Sequence, residues 1–117
     1  MPDLSISIVT FNSAALTDRL LASIERERDG AEWEIFVTDN ASHDNIEQVV
    51  ARYPRVEFHR NDTNVYFTRA DNQNLAKCKG RYVVSINPDC ELLPGAVRKL
   101  TAFLDEHAEA GGVMPRV

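Results

Sequence analysis

Four short runs rich in β-branched and aromatic residues, at 4–10, 33–38, 56–59 and 82–86, are separated by stretches whose apolar residues recur with helical spacing. This alternation is the strongest constraint on the fold. Strands that alternate with helices pair mostly in parallel, and the crossover helices then cover both faces of the sheet. The first helix is expected after an N-cap at Asn12 or Ser13, with Leu16, Leu20, Leu21 and Ile24 as its apolar stripe and Gly30 as its stop. The second opens on a capping box, Asp44 with Glu47, turns Ile46, Val49, Val50 and Tyr53 inward, and ends at Pro54. A third is expected over 68–79, with Ala70, Leu75 and Ala76 inward. A fourth has Pro94 in its first turn and Val97, Leu100, Phe103 and Leu104 as its apolar face. Residues 111–115 read as the beginning of a fifth strand.

Right-handed crossovers bring the carboxyl ends of parallel strands to one edge. Three polar stretches fall there: Thr10-Phe11-Asn12, Asp39-Asn40 and Asn87-Pro88-Asp89. Open α/β sheets bind ligands at that edge. The run 82–86 reads as a buried, central strand, cut off by Pro88, which has no N–H for a sheet ladder. Asp89 and Glu91 follow it. Hard oxygen donors in that position suit Mg²⁺ or Mn²⁺ holding a phosphate group. The alternative for Asp89 is a turn cap before a helix, and for Asp39 a turn cap after a strand. Glu91 reads better as a surface residue beside a helix N-terminus than as a ligand.

The length of 117 residues fits one domain, 1–117, with enough chain for a core. The net charge of −5, with no cluster of Lys or Arg, argues against a nucleic-acid partner. Cys78 and Cys90 form neither a CxxC pair nor a disulfide framework, which favours a reducing, cytoplasmic setting. No apolar run reaches the ~20 residues of a membrane span, and the start of the chain lacks a signal-peptide pattern. His43, His59 and His107 are scattered and form no metal-binding pair at helical spacing.

Three segments together carry a resemblance. Ser7-Ile8-Val9-Thr10-Phe11-Asn12-Ser13, Val37-Thr38-Asp39-Asn40-Ala41-Ser42-His43-Asp44 and Asn87-Pro88-Asp89-Cys90-Glu91-Leu92-Leu93-Pro94-Gly95, in this order and spacing, resemble the motifs of family 2 glycosyltransferases, most closely the bacterial rhamnosyltransferase-like branch. The third is similar to that group's variant of the Asp-x-Asp motif, with Asn87 in place of the first Asp. The resemblance implies the N-terminal half of the GT-A fold, which is Rossmann-like. It implies a nucleotide-sugar site in which Thr10, Phe11, Asn12 and Asn40 line the pocket. Asp39 would accept a hydrogen bond from a uracil or thymine N–H, and Asn87 would contact ribose or a metal-bound water. Asp89 would bind the Mg²⁺ or Mn²⁺ that bridges the diphosphate of a UDP- or dTDP-sugar and offsets charge on the leaving group. Arg69 and Asn72 match a family segment near the donor. The implied activity is inverting transfer of a sugar to a glycan or lipid-linked glycan, in the cytoplasm or at the inner face of the membrane.

Two departures qualify that expectation. Tyr66 and Asn74 stand where the family usually has Gly, a residue that permits positive φ or close backbone approach. Tyr66 could block or reshape the donor pocket. The family's acceptor site and acidic general base belong to a second half, so no catalytic residue is assigned in this chain. The chain is read as a fragment that binds nucleotide at most, and an uncovered sheet edge could promote self-association. The competing reading is a non-catalytic protein-interaction module that keeps the fold. A receiver-like signalling domain is disfavoured, because that class needs an acidic pair after its first strand and Thr10-Phe11-Asn12 offers none.

Overall fold

The computed structural model describes residues 1–115. The elements run in the order β1 (Leu4–Thr10), α1 (Ala14–Arg28), β2 (Trp33–Asp39), α2 (Ile46–Val50), β3 (Val56–Arg60), α3 (Tyr66–Leu75), β4 (Tyr82–Ile86) and α4 (Ala96–Glu106). All strands are parallel, in the order β3-β2-β1-β4. The chain therefore winds outward through β2 to β3, then crosses back to place β4 on the other side of β1. The strand order reverses between β1 and β4, and such a switch point leaves a crevice beyond the carboxyl ends.

The alternation in Leu-Ser-Ile-Ser-Ile-Val-Thr sorts β1 onto two different faces. Leu4, Ile6 and Ile8 join Ile35 and Val37 of β2 in an apolar core against α1, α2 and α4, with Leu20, Leu21, Ile24, Ile46, Val49, Val50 and Val97. Ser5 and Ser7 are buried on the opposite face, which is largely polar beneath α3 and open to solvent at Val83 and Ser85 of β4. There Asn74 Nδ2 donates to Ser7 Oγ at 3.0 Å and to the Ile8 carbonyl at 3.1 Å, while Thr38 Oγ1 donates to Asn74 Oδ1 at 2.6 Å. Ser7 Oγ in turn donates to Asp71 Oδ1 at 2.6 Å. Every member of this set has a partner, which is the condition for burying polar groups without a large penalty.

Several expectations are corrected. The strand 82–86 is neither central nor fully buried: β4 is an edge strand, and Val83 is 47% exposed. Its β-branched run signals strand but does not distinguish a central strand from an edge. The third helix begins at Tyr66 and ends at Leu75, earlier at both ends than 68–79. Leu75 and Ala76 face outward, and Ala70 and Asn74 face the sheet, because this face is built from hydrogen bonds rather than from apolar contact. Pro94 lies before α4, whose N-cap is Gly95 at φ +77°. Phe103 is exposed and stacks on His107 instead of entering the core. Residues 111–115 form no strand.

The capping box at the second helix is replaced by a wider device. Asn45 is the N-cap of α2, and Asp44 accepts from two helix starts at once, Ile46 N at 3.3 Å and Ala14 N at 2.9 Å. One carboxylate thus serves the positive ends of both α1 and α2.

Candidate functional site

Beyond the carboxyl ends of β1 and β4, a cleft of about 370 Å³ is lined by Val9, Thr10, Phe11, Ser13, Leu16, Asn40, Asn64, Tyr66, Phe67, Pro88 and Asp89. It occupies the switch-point crevice. Of the residues expected at a binding site, it brings together Thr10, Phe11, Asn40 and Asp89.

Below the cleft lies Asp39, with 0% of its surface exposed. Its Oδ1 accepts from Thr10 Oγ1 at 2.6 Å and from the Ser42 hydroxyl; its Oδ2 accepts from Ser42 N at 2.9 Å. Arg60 supplies a counter-charge 4.0 Å from Oδ2 and donates to the Ser42 carbonyl at 2.7 Å. The carboxylate therefore holds its loop as a ligand would be held. Oδ2 keeps one lone pair unused, but the residue is wholly buried, so a base N–H reaches it only if the loop over it shifts.

Asn12 does not line the cleft. It sits at φ +50°, a conformation that Asn tolerates, and clasps the neighbouring loop: its N–H donates to Ser42 Oγ at 2.8 Å, and its Oδ1 accepts from His43 N at 2.9 Å. Asn40 is buried at the centre of a second set of bonds. Its Oδ1 accepts from Asn61 Nδ2 at 3.1 Å and from Val65 N at 3.3 Å, and its Nδ2 donates to the Tyr66 carbonyl at 3.2 Å. Asn61 also exchanges two bonds with the side-chain amide of Gln73.

Tyr66 has φ +67°, the left-handed region where Gly is at home. For a bulky residue such as Tyr that conformation costs roughly 1–2 kcal/mol. The departure at Tyr66 is thus structurally real: the backbone has the shape Gly would give, and the phenol is carried on it.

Asp89 is exposed, in a turn where Cys90 N donates to the Asn87 carbonyl at 3.0 Å. The turn is tied back to α1. Leu92 N donates to Ser23 Oγ at 3.0 Å, Gly95 N donates to Glu27 Oε1 at 2.8 Å, and Glu91 pairs with Arg26 at 3.7 Å. Among the described residues no Lys or Arg lies within ion-pair distance of Asp89, and no group of three or more His, Cys, Asp or Glu could hold a metal ion. The donor chemistry still fits Mg²⁺ or Mn²⁺, which are commonly held by one or two carboxylates with substrate phosphates completing the shell. Asn87 is exposed beside this turn but is not among the cleft-lining residues. Arg69 and Asn72 are not brought to the cleft either; they line a separate depression with Thr63, Val65 and Thr68.

Residues 5–117 match the sequence profile of Glycosyl transferase family 2. The chain belongs to that family. Among curated relatives of this family 2 glycosyltransferase domain is the GalNAc(5)-diNAcBac-PP-undecaprenol beta-1,3-glucosyltransferase of Campylobacter jejuni, 30% identical over 91% of this chain and 36% of that protein. The chain spans little more than a third of the length of the curated relatives it matches. Two solved structures share the fold. TarS 1-349 of Staphylococcus aureus, in complex with UDP, superposes with a TM-score of 0.82 at 24% identity, over 97% of this chain and 38% of that one. The mannosyltransferase PcManGT of Pyrobaculum calidifontis, in complex with GDP-Man and Mn²⁺, gives 0.79 at 23% identity, over 88% and 32%. The family 2 assignment and the GT-A architecture expected from the three motifs are thereby established, whereas nothing in these matches selects the rhamnosyltransferase-like branch.

The motifs gave no role to Ser42, Arg60 or Asn61, and Ser13, expected as an N-cap, holds that position without a side-chain capping bond. Ser42 lies inside the second motif, but its role needs the fold. Ser13 Oγ is closed off from solvent and has no hydrogen-bond partner among the described residues, and Ser13 lines the cleft.

Proposed function

We propose that this chain is the donor-binding unit of a metal-assisted, inverting glycosyltransferase, and that the switch-point cleft receives the nucleoside diphosphate of a UDP- or dTDP-sugar. The observation that carries this reading is the meeting of Thr10, Phe11, Asn40 and Asp89 around one cleft in a family 2 fold. Exposed Phe11 is suited to the base end, while buried Thr10, its hydroxyl donated to Asp39, would set the floor rather than contact the ligand through that hydroxyl. Asp89 and a divalent ion would hold the diphosphate, and the ion would supply charge stabilisation for the leaving group. UDP in TarS and GDP-Man with Mn²⁺ in PcManGT support a nucleotide and a cation in a fold of this shape. The motif likeness favours a donor of the rhamnosyltransferase-like branch.

No carboxylate here is assigned as the general base, so the isolated chain is expected to bind without transferring sugar. The glycan or lipid-linked acceptor would be held by residues outside this unit. Among the described residues no helix is long and apolar enough to cross a membrane.

The test is calorimetric or NMR titration with UDP, dTDP and GDP, with and without Mn²⁺. Binding is expected in the millimolar range, strengthened by Mn²⁺, with pyrimidine nucleotides preferred. Asp89→Ala should remove the Mn²⁺-dependent part, about tenfold in affinity or 1.4 kcal/mol, and leave metal-free binding intact. Absence of any response to millimolar nucleotide would defeat the proposal.

A further inference from the structure

The cleft and the neighbouring depression share three residues, Asn64, Tyr66 and Phe67. On one side of this common wall lie Thr10, Phe11 and Asp89; on the other lie Arg69 and Asn72. Tyr66 is its most unusual member. It is 75% exposed and held at φ +67°. Its backbone is fixed at both ends: Tyr66 N donates to Asn64 Oδ1 at 2.8 Å, and the Tyr66 carbonyl accepts from the buried amide of Asn40 at 3.2 Å. The preceding Val65 N–H donates to the same Asn40 side chain. A strained residue persists only where its surroundings over-determine it, and such residues gather at ligand clamps.

We propose that Tyr66 is a specificity-determining partition. Its aromatic ring separates the nucleotide cleft from the Arg69–Asn72 depression, so that a donor seated against Asp89 is denied the guanidinium of Arg69. This rests on the nucleotide-binding reading above. The ring, rather than the hydroxyl, forms the barrier. Replacing it with Gly removes the ring from that wall, leaving Asn64 and Phe67, and keeps the backbone conformation already present, which Gly prefers.

A double-mutant cycle tests this, with UDP and UDP-glucose as probes in the presence of Mn²⁺. Affinities are measured for the wild type, Tyr66→Gly and Tyr66→Phe, each with and without Arg69→Ala, and thermal melts verify folding. Arg69→Ala is expected to weaken UDP-glucose binding at least fivefold more in the Gly background than in the wild type, with Tyr66→Phe behaving like the wild type. Binding that appears only in Tyr66→Gly would overturn it, since the ring would then exclude the nucleotide itself rather than divide two spaces around a bound one. The inference is overturned, with nucleotide binding left standing, if Arg69→Ala has the same effect in every background or if Phe behaves like Gly. If no variant binds nucleotide, both proposals fall.

Discussion

Asn74 illustrates how one side chain can decide the character of a face. A polar residue at an inward helical position breaks the apolar periodicity, so the sequence suggested Leu75 and Ala76 as the buried pair. The structure instead uses the amide to join α3 to β1 and β2 through Ser7, the Ile8 carbonyl and Thr38. Asn74→Ala would strand several buried groups at once. A loss of roughly 2–3 kcal/mol is expected, since each unsatisfied buried group costs about 1–3 kcal/mol and some will find water; urea unfolding measures it. Other residues were easier to find. Thr10 ends a β-rich run, and Asn40 and Asp89 come within three residues of the ends of two others, so chain order alone places them at the carboxyl edge. Ser42, Arg60 and Asn61 act only through partners distant in sequence, and no local pattern marks such partners. Asp39 was legible in position but not in state, because its enclosure depends on Thr10 and Ser42 together.

The helices and strands were read well in number and order, and less well at their ends. The second helix shows why. Its regular part, Ile46–Val50, is only five residues, and tertiary bonds hold its flanks. Tyr53 lies just beyond it and donates to Asp18 Oδ1 of α1 at 2.6 Å. Burial, followed by the hydrogen bond to the Asp18 carboxylate, raises the phenol from the ordinary 10.0 to about 12. A folded-state pKa above the unfolded one gives a contribution that is complete below pH 10 and lost as pH rises through about 12. Tyr53→Phe should therefore lower stability at neutral pH and flatten the decline between those values, as read from denaturant midpoints across the alkaline range.

As a whole the molecule is lopsided. Three helices and an apolar core back one face of the sheet, while α3 and a polar network back the other. β1 and β2 are paired on both sides and β4 on one. Local openings follow such differences in burial and pairing. Hydrogen exchange should find the amides of β4 exchanging faster than those of β1, and equal protection would mean that the edge is covered in solution. The reversal of strand order was recoverable from the motifs only through their family likeness, because alternation alone does not say on which side of β1 the last strand inserts. That insertion has a mechanical consequence. The crevice is a seam between a well-braced wall and a loosely backed one, and a molecule seated across it would rivet the two together. At a hundred times its dissociation constant such a rivet adds about 2.7 kcal/mol to the folded state. Grip on the ligand and firmness of the outermost strand are then one quantity measured from two ends.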